Sequence, residues 1–185
     1  MNDVLDKIYR VVRFFTDKIV GYFAALVMLG ATGLALLEIV RRYIVGVTFH
    51  WGQDAVTYFM VGSIALFFAV TQARRSHLAM SAVLDLLKAK GMTRVVLVIR
   101  AIVSAGSLAF YTAFAWWAWP TVDRMWALGR TTQSMLLLMW PFQMMMLVGF
   151  ALMALVTAFQ LYQDIQALLG KKVFPWAETE EGLEI

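Results

Sequence analysis

RRYIVGVTFHWGQDAVTYFMVGSIALFFAVTQARRSH, residues 41–77, holds an apolar run of about 19 residues between two Arg pairs, Arg41–Arg42 and Arg74–Arg75. After Asp54 the run carries no charge as far as Ala73. At a rise of about 1.5 Å per helical residue it crosses a hydrocarbon core of about 30 Å, which predicts a transmembrane helix over about residues 54–73. Its entry carries His50, Trp51, Gln53 and Asp54, and its exit Arg74, Arg75 and His77.

The whole chain agrees with that reading. Its 185 residues are 62% hydrophobic and 15% charged, with a mean hydropathy of +0.73, whereas soluble domains are about 45–50% apolar and about 25% charged. This is the composition of an integral membrane protein. The chain has no Cys, which excludes disulfides, thiolate catalysis and Cys-ligated metals, and its two His leave little for metal chemistry. A net charge of +4 does not indicate nucleic acid, because the Lys and Arg flank apolar runs, where they set membrane orientation.

Three further spans lie on either side. Residues 19–40 form the first, uncharged until Glu38, with small residues at Gly21, Ala25, Gly30 and Gly33. A link of about a dozen residues to the 54–73 span predicts an antiparallel hairpin. The third span is expected at 95–119, long enough to require tilt or protrusion. Ala101, Ala105, Ala109 and Ala113 recur along it, and Trp116, Trp117 and Trp119 precede Pro120. A polar loop is expected at 120–134, then a last span at 135–161 whose Pro141 either begins the regular helix or kinks it. Residues 62, 65 and 69 (Gly, Ala, Ala) add a small-residue face to the second span, and such faces allow close helix contact in lipid.

Two amphipathic stretches, 1–18 and 78–90, read as interfacial helices, the second ended by Gly91. The apolar run after residue 18 is longer than a signal-peptide core, so cleavage is not expected. The segment 171–185, with Lys171, Lys172 and AETEEGLEI, reads as a disordered cytoplasmic tail. The fold class predicted is therefore all-α, with one four-helix transmembrane domain over 1–170. Segments 1–18, 74–94 and 162–185 hold 4, 5 and 2 Lys or Arg, against 2 each in 41–52 and 120–134. That asymmetry predicts both termini in the cytoplasm, with Trp51, Asp54, Trp126 and Arg130 outside and His77 inside.

Ionisable groups near lipid invite functional readings. Glu38, Arg42 and Asp54 either mark an ion or substrate path or form a structural cluster at the hairpin mouth. None lies near the bilayer centre, so the structural role is the expectation, with Glu38 and Arg42 as an i, i+4 ion pair. Arg100 is expected to snorkel to headgroups. His50 and His77 lie on opposite sides and cannot share a metal or haem, and the 12 Met, Met144–Met146 among them, are read as packing residues. No catalytic motif, no paired carboxylates within a span and no metal-binding set is present, so no enzyme and no cofactor of this chain's own is expected. Four spans without a midplane charge or a broken inner helix also give little material for a complete substrate site.

The order of features resembles the small membrane subunit of tripartite ATP-independent periplasmic (TRAP) transporters, the DctQ-type small permeases. It rests on four spans with both ends inside, Arg42-Tyr43 closing the first, Trp51 with Asp54 three residues on, an aromatic second span, and His77 just beyond it, across about residues 15–165. That family often has Glu where Asp54 stands. The resemblance implies a large permease subunit carrying the substrate and Na⁺ sites and moving as an elevator, a periplasmic substrate-binding protein that feeds it, and a small subunit that enlarges the stationary scaffold in the bacterial inner membrane. Substrates of such systems are carboxylates such as sialic acids, C4-dicarboxylates or oxo acids. Glu38, Arg42, Trp51, Asp54 and His77 are then structural or subunit-interface candidates. Arg124, Trp126 and Arg130, with Asp123, are candidates for docking the binding protein. A small-residue stripe is expected to face the partner, with Ala65 or Ala105 outward. The competing classes are a stand-alone homo-oligomeric channel or carrier, which flux from the lone chain reveals, and a cytochrome-type membrane anchor, which an absorption spectrum reveals.

Overall fold

The computed structural model describes residues 2–73, 93–134 and 136–170. The expected helix at 78–90, His77, Met135 and the tail 171–185 lie outside them. The described residues form five α-helices: α1 (Asn2–Phe14), α2 (Gly21–Val40), α3 (Gly52–Ala73), α4 (Thr93–Ala127) and α5 (Trp140–Leu168). The last four belong to helical segments long and apolar enough to cross a membrane.

The amphipathic N-terminal stretch is helical and runs into the first span through a π-helical turn, Phe15–Val20. Its Tyr9 is buried, with its ring 5.6 Å from that of Phe159 on α5. A second π-helical turn, Arg41–Val45, extends α2 until Gly46 takes the left-handed conformation (φ 74°) that a side chain disfavours. Pro141 stands in the first turn of α5, so it begins that helix; its missing N–H is one that a helix start leaves unbonded in any case.

Two boundaries differ from the sequence reading. α4 does not stop before Pro120 but continues to Ala127. In lipid-facing helices, hydroxyls help to satisfy the backbone that proline frees, and Thr121 Oγ1 donates to the Trp117 carbonyl at 3.1 Å. α4 ends where Gly129 (φ 55°) allows the Arg130 N–H to reach Met125 O and its own N–H to reach Trp126 O, both at 3.2 Å. The connection is therefore the short stretch 128–139, and α5 begins at Trp140 and runs to Leu168.

The four spans do not close into a bundle. α2 packs on α3, α3 on α5 and α5 on α4, so the third span in sequence lies at an edge and the fourth in the middle. Close backbone approach holds the centre of this row. A Cβ on Gly149 would lie 2.7 Å from the Ala65 carbonyl oxygen, and one on Gly62 2.8 Å from Met145 Sδ. Ala65 is thus buried inside the row, not outward as expected, because α5 takes up the small-residue face of α3. Ala105 is exposed as expected. One end of the row carries the connections 46–51 and 128–139 and is called the loop end; the other is called the terminus end.

Candidate functional site

At the loop end, the ion pair expected between Glu38 and Arg42 is formed, with Arg42 Nη2 3.1 Å from Glu38 Oε1. The carboxylate is nearly enclosed while the guanidinium is half exposed. Glu38 also reaches into the space that a side chain at residue 52 would take, so a larger residue where α3 starts would have to push that carboxylate aside. Beside the pair, the Arg41 guanidinium lies 4.1 Å from the centre of the Phe49 ring, which is 5.3 Å from Trp51. Both Arg side chains are therefore folded back onto groups of this chain.

Asp54 does not join Glu38 and Arg42. It lies two residues beyond Gly52, about 200° around the helix, and faces away from α2. Its Oδ2 accepts the Ser134 backbone N–H at 2.8 Å, which ties the start of α3 to the 128–139 connection. The described residues of that connection are cross-bonded: Thr132 N–H donates to Leu137 O at 2.8 Å, Met139 N–H to Arg130 O at 3.0 Å, and the Thr132 and Ser134 hydroxyls are 2.9 Å apart. Trp126 packs edge-on against Trp140, with ring centres 4.5 Å apart. Arg124 and Arg130 are exposed beside it. The loop end thus carries the Glu38–Arg42 pair beside α2, and Asp54 bonded to the connection that follows Arg124, Trp126 and Arg130 on the other side of α3.

The sequence reading missed a polar cluster at the terminus end. Gln72 Nε2 donates to Thr157 Oγ1 and Gln160 Oε1, each at 3.0 Å, and Gln160 Nε2 returns a bond to the Gln72 carbonyl at 2.7 Å. Ser104 donates to Asp164, and Gln163 and Gln166 are also buried. The signal was in the sequence: Thr157, Gln160 and Asp164 recur at helical spacing on one face of the last span. Among the described residues no group of His, Cys, Asp or Glu is placed to hold a metal ion.

An open apolar trench runs along α4, lined by Ala105, Ala109, Thr112, Ala113, Trp116 and Trp117, with Leu161 of α5 beside it. The described residues form a layer of helices with a bonded loop end and exposed flanks. A scan against family models matches residues 31–167 to the tripartite ATP-independent periplasmic transporters, DctQ component. The chain belongs to the DctQ family. It is a small permease component of a TRAP transporter and a multi-pass membrane protein. No curated protein and no solved structure matches it. In this DctQ component the matched segment takes in the Glu38–Arg42 pair, the Asp54–Ser134 tie and the polar cluster, whereas α1 precedes it.

Proposed function

We propose that this DctQ component is the stationary scaffold subunit of a Na⁺-coupled importer in the bacterial inner membrane. It pairs there with a large permease subunit, which holds the substrate and Na⁺ sites. A periplasmic binding protein delivers a carboxylate, of the sialic acid, C4-dicarboxylate or oxo-acid kind. The observation that carries this reading is the open row: in a family named as one component of a tripartite transporter, α2 and α4 each pack chiefly on a single neighbouring span. Such a layer has exposed flanks for another membrane subunit. The distribution of Lys and Arg supports cytoplasmic termini, which puts the loop end, with Arg124, Trp126 and Arg130, on the side where a binding protein docks. The chain carries no catalytic role and binds no cofactor or nucleic acid of its own; membrane lipids surround it.

The test is flux into proteoliposomes under a Na⁺ gradient with a panel of carboxylates and the cognate binding protein, comparing this chain alone, the large subunit alone, and the pair. Uptake by the pair with none from this chain alone is the expected result. Na⁺-driven uptake by the lone chain overturns the scaffold role and favours a homo-oligomeric carrier.

A further inference from the structure

We infer that α1 is a surface strap: it leaves the axis of the first span at the π-helical turn, lies crosswise over α5, and presses an apolar stripe into the phospholipid leaflet at the terminus end, with Lys7 and Lys18 against its anionic headgroups. The register of the spans carries the first part. Along α2 and α3, Glu38 meets Gly52, Met28 meets Ser63 and Gly21 meets Val70, so each step of one residue on one helix is matched by one on the other. Continued straight, the first span would bring Lys18 level with Ala73 and carry Tyr9 about 13 Å further, at about 1.5 Å per residue. Tyr9 is not there. Its ring lies 5.6 Å from that of Phe159, and Phe159 is close to the level of Ala73, because its neighbours Thr157 and Gln160 both bond Gln72.

Side-chain reach does not remove the difference. Helical side chains lean toward the N-terminus of their own helix, which in a straight continuation would carry the Tyr9 ring still further from Phe159. The bend falls at Phe15–Val20, and π-helical turns are places where helices kink. The turn itself packs on α3, while α1 packs on α5. α1 therefore runs close to the level of Ala73, where the apolar run of α3 gives way to Arg74 and Arg75, and that is the level of the headgroups.

A helix held against protein at that level needs one side for the protein, one for hydrocarbon and one for water, and α1 has all three. Tyr9 and, in the turn, Thr16 are buried. Ile8, Val11, Phe14 and Phe15 recur at helical spacing and are exposed, Val11 by 67% and Phe14 by 63%. Arg10, Arg13 and Asp17 follow the same spacing on a further side, with Asp3 and Asp6 in register with them by sequence. Lys7 and Lys18 stand outside that charged stripe, next to Ile8 and Ile19, and are exposed. The acidic positions thus share the water side with the arginines, and the two lysines border the apolar stripe, where a surface helix draws anionic headgroups. Depth and charge together select a lipid leaflet over a protein face as the occupant.

The chain has no Cys, so a single bimane label reports without background. Full chains carrying Val11→Cys on the apolar stripe or Arg10→Cys on the charged one are labelled in phosphatidylcholine–phosphatidylglycerol vesicles, alone and with the large subunit. Quenching by acyl-brominated lipid and by aqueous iodide is then measured. Brominated lipid is expected to quench the label at 11 about twofold or more beyond that at 10, and iodide to quench the label at 10, with or without the large subunit. At equal mole fraction, brominated phosphatidylglycerol should quench the label at 11 about twofold more than brominated phosphatidylcholine, and Lys7→Glu with Lys18→Glu should level the two. Iodide quenching at 11 overturns the strap, because α1 then stands clear of the leaflet. Protection of 11 from both reagents overturns it too, since protein then covers the stripe. Equal quenching by the two brominated lipids without the lysine changes overturns the headgroup contact.

Discussion

Glu38 is the most exposed to loss among the loop-end residues, because its carboxylate is nearly enclosed and the cation paired with it, Arg42, is half exposed. Arg42→Ala leaves that carboxylate without its partner beside Gly52, at a cost of roughly 1–3 kcal/mol. The double variant Glu38→Gln with Arg42→Ala recovers most of it, since no uncompensated charge then remains. Unfolding of the purified chain and its recovery with the large subunit are the measurements; normal assembly with altered substrate choice would instead make the pair part of a substrate path. Asp54 acts on the opposite side of α3. Asp54→Ala leaves the Ser134 N–H unbonded and speeds backbone hydrogen exchange over residues 132–139, while Asp54→Asn keeps an acceptor and stays close to the parent. Equal exchange in the two variants would show that the connection is held by its own bonds alone. The residue types at 38, 42 and 54 were legible as a loop-end group, but their partners were not. Asp54 bonds a backbone N–H 80 residues away, and no spacing announces which loop returns to meet it.

The four spanning helices could be read from apolar run length, since lipid admits few other structures for such runs. Their ends were less legible. Pro120 stops a helix in water more often than in a membrane, where Thr121 and neighbouring spans compensate, and the stop is set instead by Gly129. Neighbour order was not legible at all: spans that are apolar on nearly every side do not say which side meets protein. The close contacts supply that information, and they separate glycines that look alike in sequence. Gly149→Ala drives a Cβ into the Ala65 carbonyl and should cost about 1–3 kcal/mol as α3 and α5 part. Gly30→Ala meets nothing within 4 Å and gains helix propensity, so it should be neutral or slightly stabilising. Titration with a denaturing detergent, followed by far-ultraviolet circular dichroism, measures both; equal effects would mean that the row is looser than its contacts. The buried amides make a parallel case. Gln72→Ala removes the Nε2 donor that Thr157 and Gln160 share, with an expected loss of about 0.6–1.7 kcal/mol, as found for hydrogen bonds between helices in membranes.

An open row of spans divides small residues into two kinds, those consumed within the chain and those left on a flank. Ala65 is of the first kind and Ala105 of the second. The scaffold role requires that the flanks serve a partner, and it makes the two positions respond differently to the same bulk. Ala65→Phe forces α3 from α5 and should destabilise the chain itself, seen as lost helicity and aggregation on size exclusion with or without the large subunit. Ala105→Phe adds its ring to an open trench, so the isolated chain should remain helical and monodisperse while recovery of the large subunit falls several-fold. Both variants are needed, because loss of the partner in Ala65→Phe alone reports only misfolding. If Ala105→Phe retains the large subunit at the parental level, the trench on α4 faces lipid, and the partner must be sought on α2, the opposite edge of the row.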